Sequence, residues 1–197
     1  MNKQFFILLG RSGSGKGTQA ALLKNFLEER YKRHVVHVTT GGGFRDFITH
    51  DTYASSLAKH VNDTGGLQPE FLAVWNWSNI FINTLQGEES VILDGAPRKP
   101  FEASILHSAI EFFGFENPTV IYLDVSESES RHHLVHRARE DDKEEQITRR
   151  MQWFDTDVLQ VLDVYRNDPR YKLVHVNGNQ TIEEVFEELR GKLAFPE

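Results

Sequence analysis

Apolar residues fall along this chain in five short runs, separated by longer stretches in which they recur at helical spacing. The runs are Phe5–Leu9, Val35–Val38, Val91–Leu93, Val120–Leu123 and Leu173–Val176. Several are continuously apolar and β-branched, the pattern of parallel strands covered on both faces. Between them, Ala20, Leu22, Leu23, Phe26 and Leu27 predict one helix, and Ile147, Met151, Phe154, Val158, Leu162 and Tyr165 form the clearest apolar stripe. Asn167-Asp168-Pro169 stops that stripe. A last helix, with Ile182, Val185, Phe186, Leu189 and Leu193, begins after Thr181 as its N-cap. Residues 51 to 86 read as helical material broken at Gly65-Gly66-Leu67-Gln68-Pro69-Glu70. Alternating strands and helices predict an α/β fold with a five-stranded parallel sheet and right-handed crossovers. Ligands in such sheets sit beyond the carboxyl ends of the strands. Functional side chains are therefore expected just past the end of each run.

The first run opens directly into Gly10-Arg11-Ser12-Gly13-Ser14-Gly15-Lys16-Gly17-Thr18. Glycines allow successive backbone N–H groups to curl around an anion. The helix behind the loop adds the partial positive charge of its N-terminus, and Lys16 adds a full one. Gly13, Ser14, Gly15, Lys16, Gly17 and Thr18 thus form a candidate cradle for a nucleotide polyphosphate. An ordinary flexible turn is the plainer reading, but the order strand, lysine-bearing loop, helix favours the cradle. The third run delivers Asp94 at its end, where a carboxylate can orient water around Mg²⁺. A turn or capping aspartate is the alternative there, since Asp94-Gly95 is also turn chemistry.

Composition narrows the classes. With 197 residues the chain is long enough for one well-buried domain, 1–197, and too short for two ordinary ones. A net charge of −7 argues against nonspecific nucleic-acid binding, which needs a basic surface. The absence of cysteine excludes disulfides and a thiolate zinc site, and fits a reducing cytoplasm. The apolar start is too short for a signal peptide and runs straight into the phosphate loop. No stretch approaches membrane-spanning length. A soluble, cytoplasmic monomer without membrane or nucleic-acid partners is expected.

The spelling around Lys16 goes further. Most such loops place Ser or Thr immediately after the lysine, whereas here Gly17 intervenes before Thr18 and Gln19. This pattern resembles the nucleoside monophosphate kinases, and among them the adenylate kinase family most closely. Thr40-Gly41-x-x-x-Arg45 and Asp94-Gly95-x-Pro97-Arg98 carry the same resemblance. It implies a three-layer P-loop kinase fold with a monophosphate-binding flap over about 40–70 and a very short lid over about 132–145. It also implies ATP and a nucleoside monophosphate, AMP first, as substrates, with Mg²⁺ between the donor phosphates. Thr40, Gly41, Gln68, Gly95 and position 102 would then line the acceptor pocket, and Arg45 and Arg98 would grip its phosphate. A guanidinium presents a planar fork suited to phosphate oxygens. Arg137, Arg139 and Arg150 match the arginines that neutralise the transferring phosphoryl group, and His133 stands where an arginine commonly stacks on the ATP adenine. Arg149 is set aside, because Glu145 four residues earlier predicts an ordinary helical ion pair. Trp75 and Trp77 read as packing rather than base stacking.

Three features depart from the family's pattern. Only Ala138 separates Arg137 from Arg139, so the lid is minimal, and poorer exclusion of water would favour wasteful ATP hydrolysis. His132, His133 and His136 have near-metal spacing, without a matching carboxylate. Glu102 occupies the place where glutamine is usual; an ionised carboxylate only accepts hydrogen bonds, which suits guanine better than adenine. A one-residue shift in the match would remove that conflict. A kinase for GMP, UMP or CMP, or a nucleotide-sensing protein that has lost transfer, are the competing readings.

Overall fold

The computed structural model describes residues 3–137, 139 and 142–195. Ala138, Glu140 and Asp141 of the expected lid lie outside the described residues, as do both chain ends. The strands are β1 (Phe5–Leu9), β2 (Val35–Thr39), β3 (Ser90–Asp94), β4 (Thr119–Asp124) and β5 (Lys172–Asn177). Each of the five apolar runs is a strand, extended by at most a residue at either end. All pair in parallel, in the order β2-β3-β1-β4-β5. The helices are α1 (Lys16–Tyr31), α2 (Thr40–Phe47), α3 (Tyr53–Asp63), α4 (Glu70–Thr84), α5 (Pro100–Phe112), α6 (Glu127–Arg137), α7 (Glu144–Trp153), α8 (Leu159–Arg166) and α9 (Ile182–Leu193).

Strand alternation sorts the side chains of the sheet into two cores. Phe5, Ile7 and Leu9 point to one face and pack with Trp77 and Phe81 of α4, Leu106 of α5 and Tyr165 of α8. Phe6 and Leu8 point to the other and meet Leu23 and Leu27 of α1 and Val185 and Leu189 of α9. Covered on both sides, β1 can be apolar throughout, and all five of its residues are buried. A smaller cluster of Leu134, Ile147 and Met151 joins α6 to α7.

The long apolar stripe is buried at all six predicted positions, but the backbone beneath it is not uniform. Between α7 and α8 the residues Phe154–Val158 form a π-helical turn. Its Phe154 ring lies under the Arg11 guanidinium at 4.3 Å, and Asp155 pairs with Arg11 at 2.7 Å, so this turn braces the phosphate loop. The segment Thr40–Phe47 is helical despite three consecutive glycines. A Cβ on Gly43 would stand 2.5 Å from the Asn76 amide of α4, so close packing of α2 on α4 requires that glycine. Thr181 caps α9 in a reciprocal box with Glu184. Ile182, assigned to the apolar face of α9, is instead half exposed.

Candidate functional site

The residues singled out from the sequence converge beyond the carboxyl ends of β1, β2 and β3. Gly13 and Gly15 have positive φ, which curls the loop back onto the start of α1. A Cβ at Gly13 would stand 2.5 Å from the Ser130 carbonyl, so the loop is wedged against α6. Lys16 Nζ crosses the loop and donates to the carbonyls of Gly10 (2.9 Å) and Arg11 (2.7 Å) and to Ser14 Oγ (3.4 Å). Burial lowers its pKa from 10.5 to about 8; Asp94 opposes the shift, while Arg98 and Arg137 add to it. An ammonium depressed in this way gains most from an arriving polyanion. Thr18 is exposed at the first turn of α1, and Gln19 is buried with its amide on the Ile182 carbonyl, 3.0 Å away.

Asp94 ends β3 directly over this helix start: a Cβ on Gly17 would lie 3.5 Å from its Oδ2. Among the described residues its carboxylate accepts no side-chain or backbone hydrogen bond, so it is neither a helix cap nor a turn aspartate. Next to it, Thr40 Oγ1 donates to the carbonyls of Gly95 (2.9 Å) and Asp94 (3.3 Å), tying β2 to β3 at their tips. Gly95 has φ +87, and a Cβ there would meet Thr40 Oγ1 at 2.9 Å. Arg98 folds back onto the Gly95 carbonyl through Nε (2.8 Å) and lies 5.0 Å over the Trp153 ring. Burial lowers its pKa; the charge of Glu102 opposes this, that of Arg150 adds to it and that of Asp94 opposes it. Lys16, Asp94, Arg98, Arg137 and Arg150 therefore share one field. Arg45 is exposed on α2, in no ion pair among the described residues; a Cβ on Gly41 would lie 3.3 Å from its guanidinium.

A pocket lined by Thr40, Phe44, Leu67, Gln68, Ala73, Gly95, Ala96, Arg98 and Glu102 opens beside the Arg98 guanidinium. Gln68 Nε2 donates to the Ala58 carbonyl (2.8 Å), which leaves Oε1 buried without a partner. Glu102 is buried at the base of α5 and accepts the Arg98 backbone N–H at 3.1 Å.

On the other side of the loop, His133 Nδ1 donates to the Gly13 carbonyl at 2.9 Å while Nε2 faces Glu129 at 3.1 Å. His132 and His136 stack edge to face; among the described residues no group of three metal-ligating side chains forms. Arg137, Arg139 and Arg150 all bond to one residue to which no motif points. Asp142, with a side chain only 1% exposed, grips Arg137 through Nε (2.9 Å) and an Nη (2.8 Å) and holds Arg150 at 2.9 Å. It also pairs with Arg139 through the backbone, Asp142 N donating to the Arg139 carbonyl at 2.9 Å. In the sequence it sits in the mostly acidic run 140–145, where nothing singles it out from its neighbours. Arg149 corrects the ion-pair expectation. It does not pair with Glu145 but donates to the Thr64 carbonyl at 2.7 Å, beyond the end of α3. An exposed i,i+4 pair is worth only about 0.3–0.5 kcal/mol, so a carbonyl left open past a helix C-terminus outcompetes it. Gln146 to the Asp63 carbonyl (2.7 Å) and Trp153 to the Gly65 carbonyl (3.3 Å) complete this seam between α3 and α7. Trp77 is fully buried as packing, and Trp75 is half exposed against Phe47.

Residues 8–169 match the family model for adenylate kinase. Adenylate kinase 1 of Nostoc sp. is 34% identical over 187 residues, covering 95% of this chain and 97% of the relative. An adenylate kinase of Mycobacterium sp. is 35% identical over 184 residues, covering 91% and 93%, and one of Bacteroides fragilis is 31% identical over 187, covering 93% and 94%.

Proposed function

Because the chain belongs to the adenylate kinase family, and is an ATP-dependent nucleoside monophosphate kinase of that type, we propose that AMP is its acceptor and that its cations divide between donor and acceptor. Lys16 and the amides of Gly13, Ser14, Gly15, Gly17 and Thr18 hold the β- and γ-phosphates of ATP. Arg98 and Arg45 hold the phosphate of AMP, whose base enters the pocket of Thr40, Gly41, Gly95, Gln68 and Glu102. Arg137, Arg139 and Arg150 close over the junction, and His133 flanks the donor nucleotide.

Phosphoryl transfer leaves little covalent work to the protein, so positioning and charge neutralisation carry the rate. The observation that supports the reading most is electrostatic. The charges of Arg98 and Arg137 add to the lowering of the Lys16 pKa, and each of the three cations is oriented by carbonyls or by Asp142 rather than by a carboxylate in the space between them. Cations arranged so are poised for a second and third negative group. Asp94, unpartnered at the mouth of the phosphate loop, fits a hydrated Mg²⁺ held mainly by ATP, and that ion would neutralise charge on the β- and γ-phosphates. Asp94 itself would orient the ion's water.

Residues 40–70 act as the monophosphate flap and the segment near 132–145 as a short lid on a single domain. Among the described residues no helix is long and apolar enough to cross a membrane. A cytoplasmic monomer fits the cysteine-free composition. A panel of AMP, GMP, UMP and CMP with ATP and Mg²⁺, monitored by diphosphate formation, tests the reading. AMP is expected to give the highest kcat/KM; turnover of a pyrimidine monophosphate in preference would overturn it.

A further inference from the structure

The acceptor pocket carries an ionisable group that neither the fold nor the phosphate chemistry requires. Glu102 is 2% exposed and lines the pocket together with Gln68 and Thr40. Its hydrogen bonding runs through Oε2, which accepts the Arg98 N–H at 3.1 Å; among the described residues Oε1 takes no partner. Thr40 Oγ1 donates to backbone carbonyls, and Gln68 Nε2 gives one N–H to the Ala58 carbonyl while its Oε1 stays buried and unpartnered. An ionised Glu102 adds a second accepting side-chain oxygen beside Gln68 Oε1, and a neutral one offers a donor in its place.

We propose that Glu102 selects the acceptor base by its protonation state. This rests on the monophosphate kinase reading and refines it. The edge of adenine offers an N–H donor at N6 and an acceptor at N1, so it needs one acceptor and one donor from the protein. Guanine offers donors at both N1 and N2, which two acceptors satisfy. Neutral Glu102 thus admits adenine, and the carboxylate turns the preference toward guanine.

The surroundings favour retention of the proton. Burial raises the Glu102 pKa; the Arg98 N–H and its guanidinium oppose the shift, Glu70 at the start of α4 adds to it, and Lys99 opposes it. Lys99 itself is drawn toward Glu70 at 3.7 Å. Tyr165 of α8 faces the carboxyl as a neutral phenol with its own pKa well raised by burial. From α2 the pocket receives only Thr40 and Phe44, which are uncharged.

The test is the ratio of kcat/KM for AMP to kcat/KM for GMP, with saturating MgATP, over the whole pH range in which the enzyme stays folded and active. The acceptor phosphates titrate alike and cancel in the ratio. The intact enzyme is expected to lose about 10-fold in this ratio across the range, the cost of exchanging a matched hydrogen bond for opposed lone pairs. Glu102→Gln, which always offers a donor and an acceptor, is expected to hold a flat ratio favouring AMP. A pH-independent ratio in the intact enzyme, or the same pH curve in Glu102→Gln, overturns the proposal. If Glu102→Gln fails to fold by circular dichroism, the curve of the intact enzyme decides alone. Failure to phosphorylate either nucleotide at any pH would instead remove the kinase reading, and this inference with it.

Discussion

At the scale of single residues, the proposed chemistry rests on cations that their neighbours hold oriented. Folding lowers the Lys16 pKa, so the unfolded chain binds this proton more tightly than the native one. Between about pH 8 and the ordinary value of 10.5, this group makes stability rise with pH, and the gain is lost as pH falls through about 8. Bound triphosphate reverses the balance by favouring the ammonium. Calorimetric titration of ATP near pH 8.5, repeated in buffers of different ionisation enthalpy, is therefore expected to show uptake of a fraction of a proton, absent in Lys16→Met; no uptake would contradict the assigned contact. Asp142 gives a second prediction. Asp142→Ala removes the carboxylate that orients Arg137 and Arg150. It is expected to lower kcat by roughly 100-fold through misplaced guanidinium groups, with the KM for ATP changed far less; an unaltered kcat would show that the clamp has no part in turnover. Lys16, Asp94 and Arg98 are legible in the sequence because each comes after a strand in a spaced motif. Asp142 is not, since one acid within the acidic run 140–145 looks solvated until its burial is known. Arg149 misleads for a related reason: its true acceptor, the Thr64 carbonyl, is 85 residues away in the chain.

At the scale of elements, strands and most helices follow from periodicity, because sheet alternation and helical stripes are local patterns that burial later selects. The π-helical turn at Phe154–Val158 is hidden from such a reading, because its apolar residues keep the same spacing of three and four while the backbone widens. The helix over Thr40–Phe47 is contrary to local propensity, and its close packing on α4 overrides the cost of glycine. Two substitutions separate stability from function at this scale. Thr181→Ala removes the reciprocal cap of α9 and is expected to cost about 1 kcal/mol in denaturant unfolding with kcat unchanged. Gly65→Ala places a Cβ 2.8 Å from the Gln146 backbone at a residue with φ +69. It is expected to cost about 1–3 kcal/mol and, by loosening the seam between α3 and α7, to raise the KM for the monophosphate. An unchanged KM in a folded Gly65→Ala enzyme would detach that seam from acceptor binding.

At the scale of the whole molecule, a net charge of −7 coexists with a dense local cluster of cations. Five parallel strands bring their carboxyl ends to one edge, so loops distant in sequence deliver Lys16, Asp94 and Arg98 to one place. The two apolar cores hold that edge rigid from both faces of the sheet. The proposed chemistry is above all spatial: two phosphates are gripped side by side, so that the γ-phosphoryl group passes between nucleotides rather than to water. ATP labelled in its γ-phosphate, mixed with AMP and Mg²⁺, tests this directly. The label is predicted to appear chiefly in the β-phosphate of ADP formed from AMP, with transfer lost in both Lys16→Met and Arg98→Ala. Release of the label chiefly as inorganic phosphate, or transfer that persists without Arg98, would contradict it.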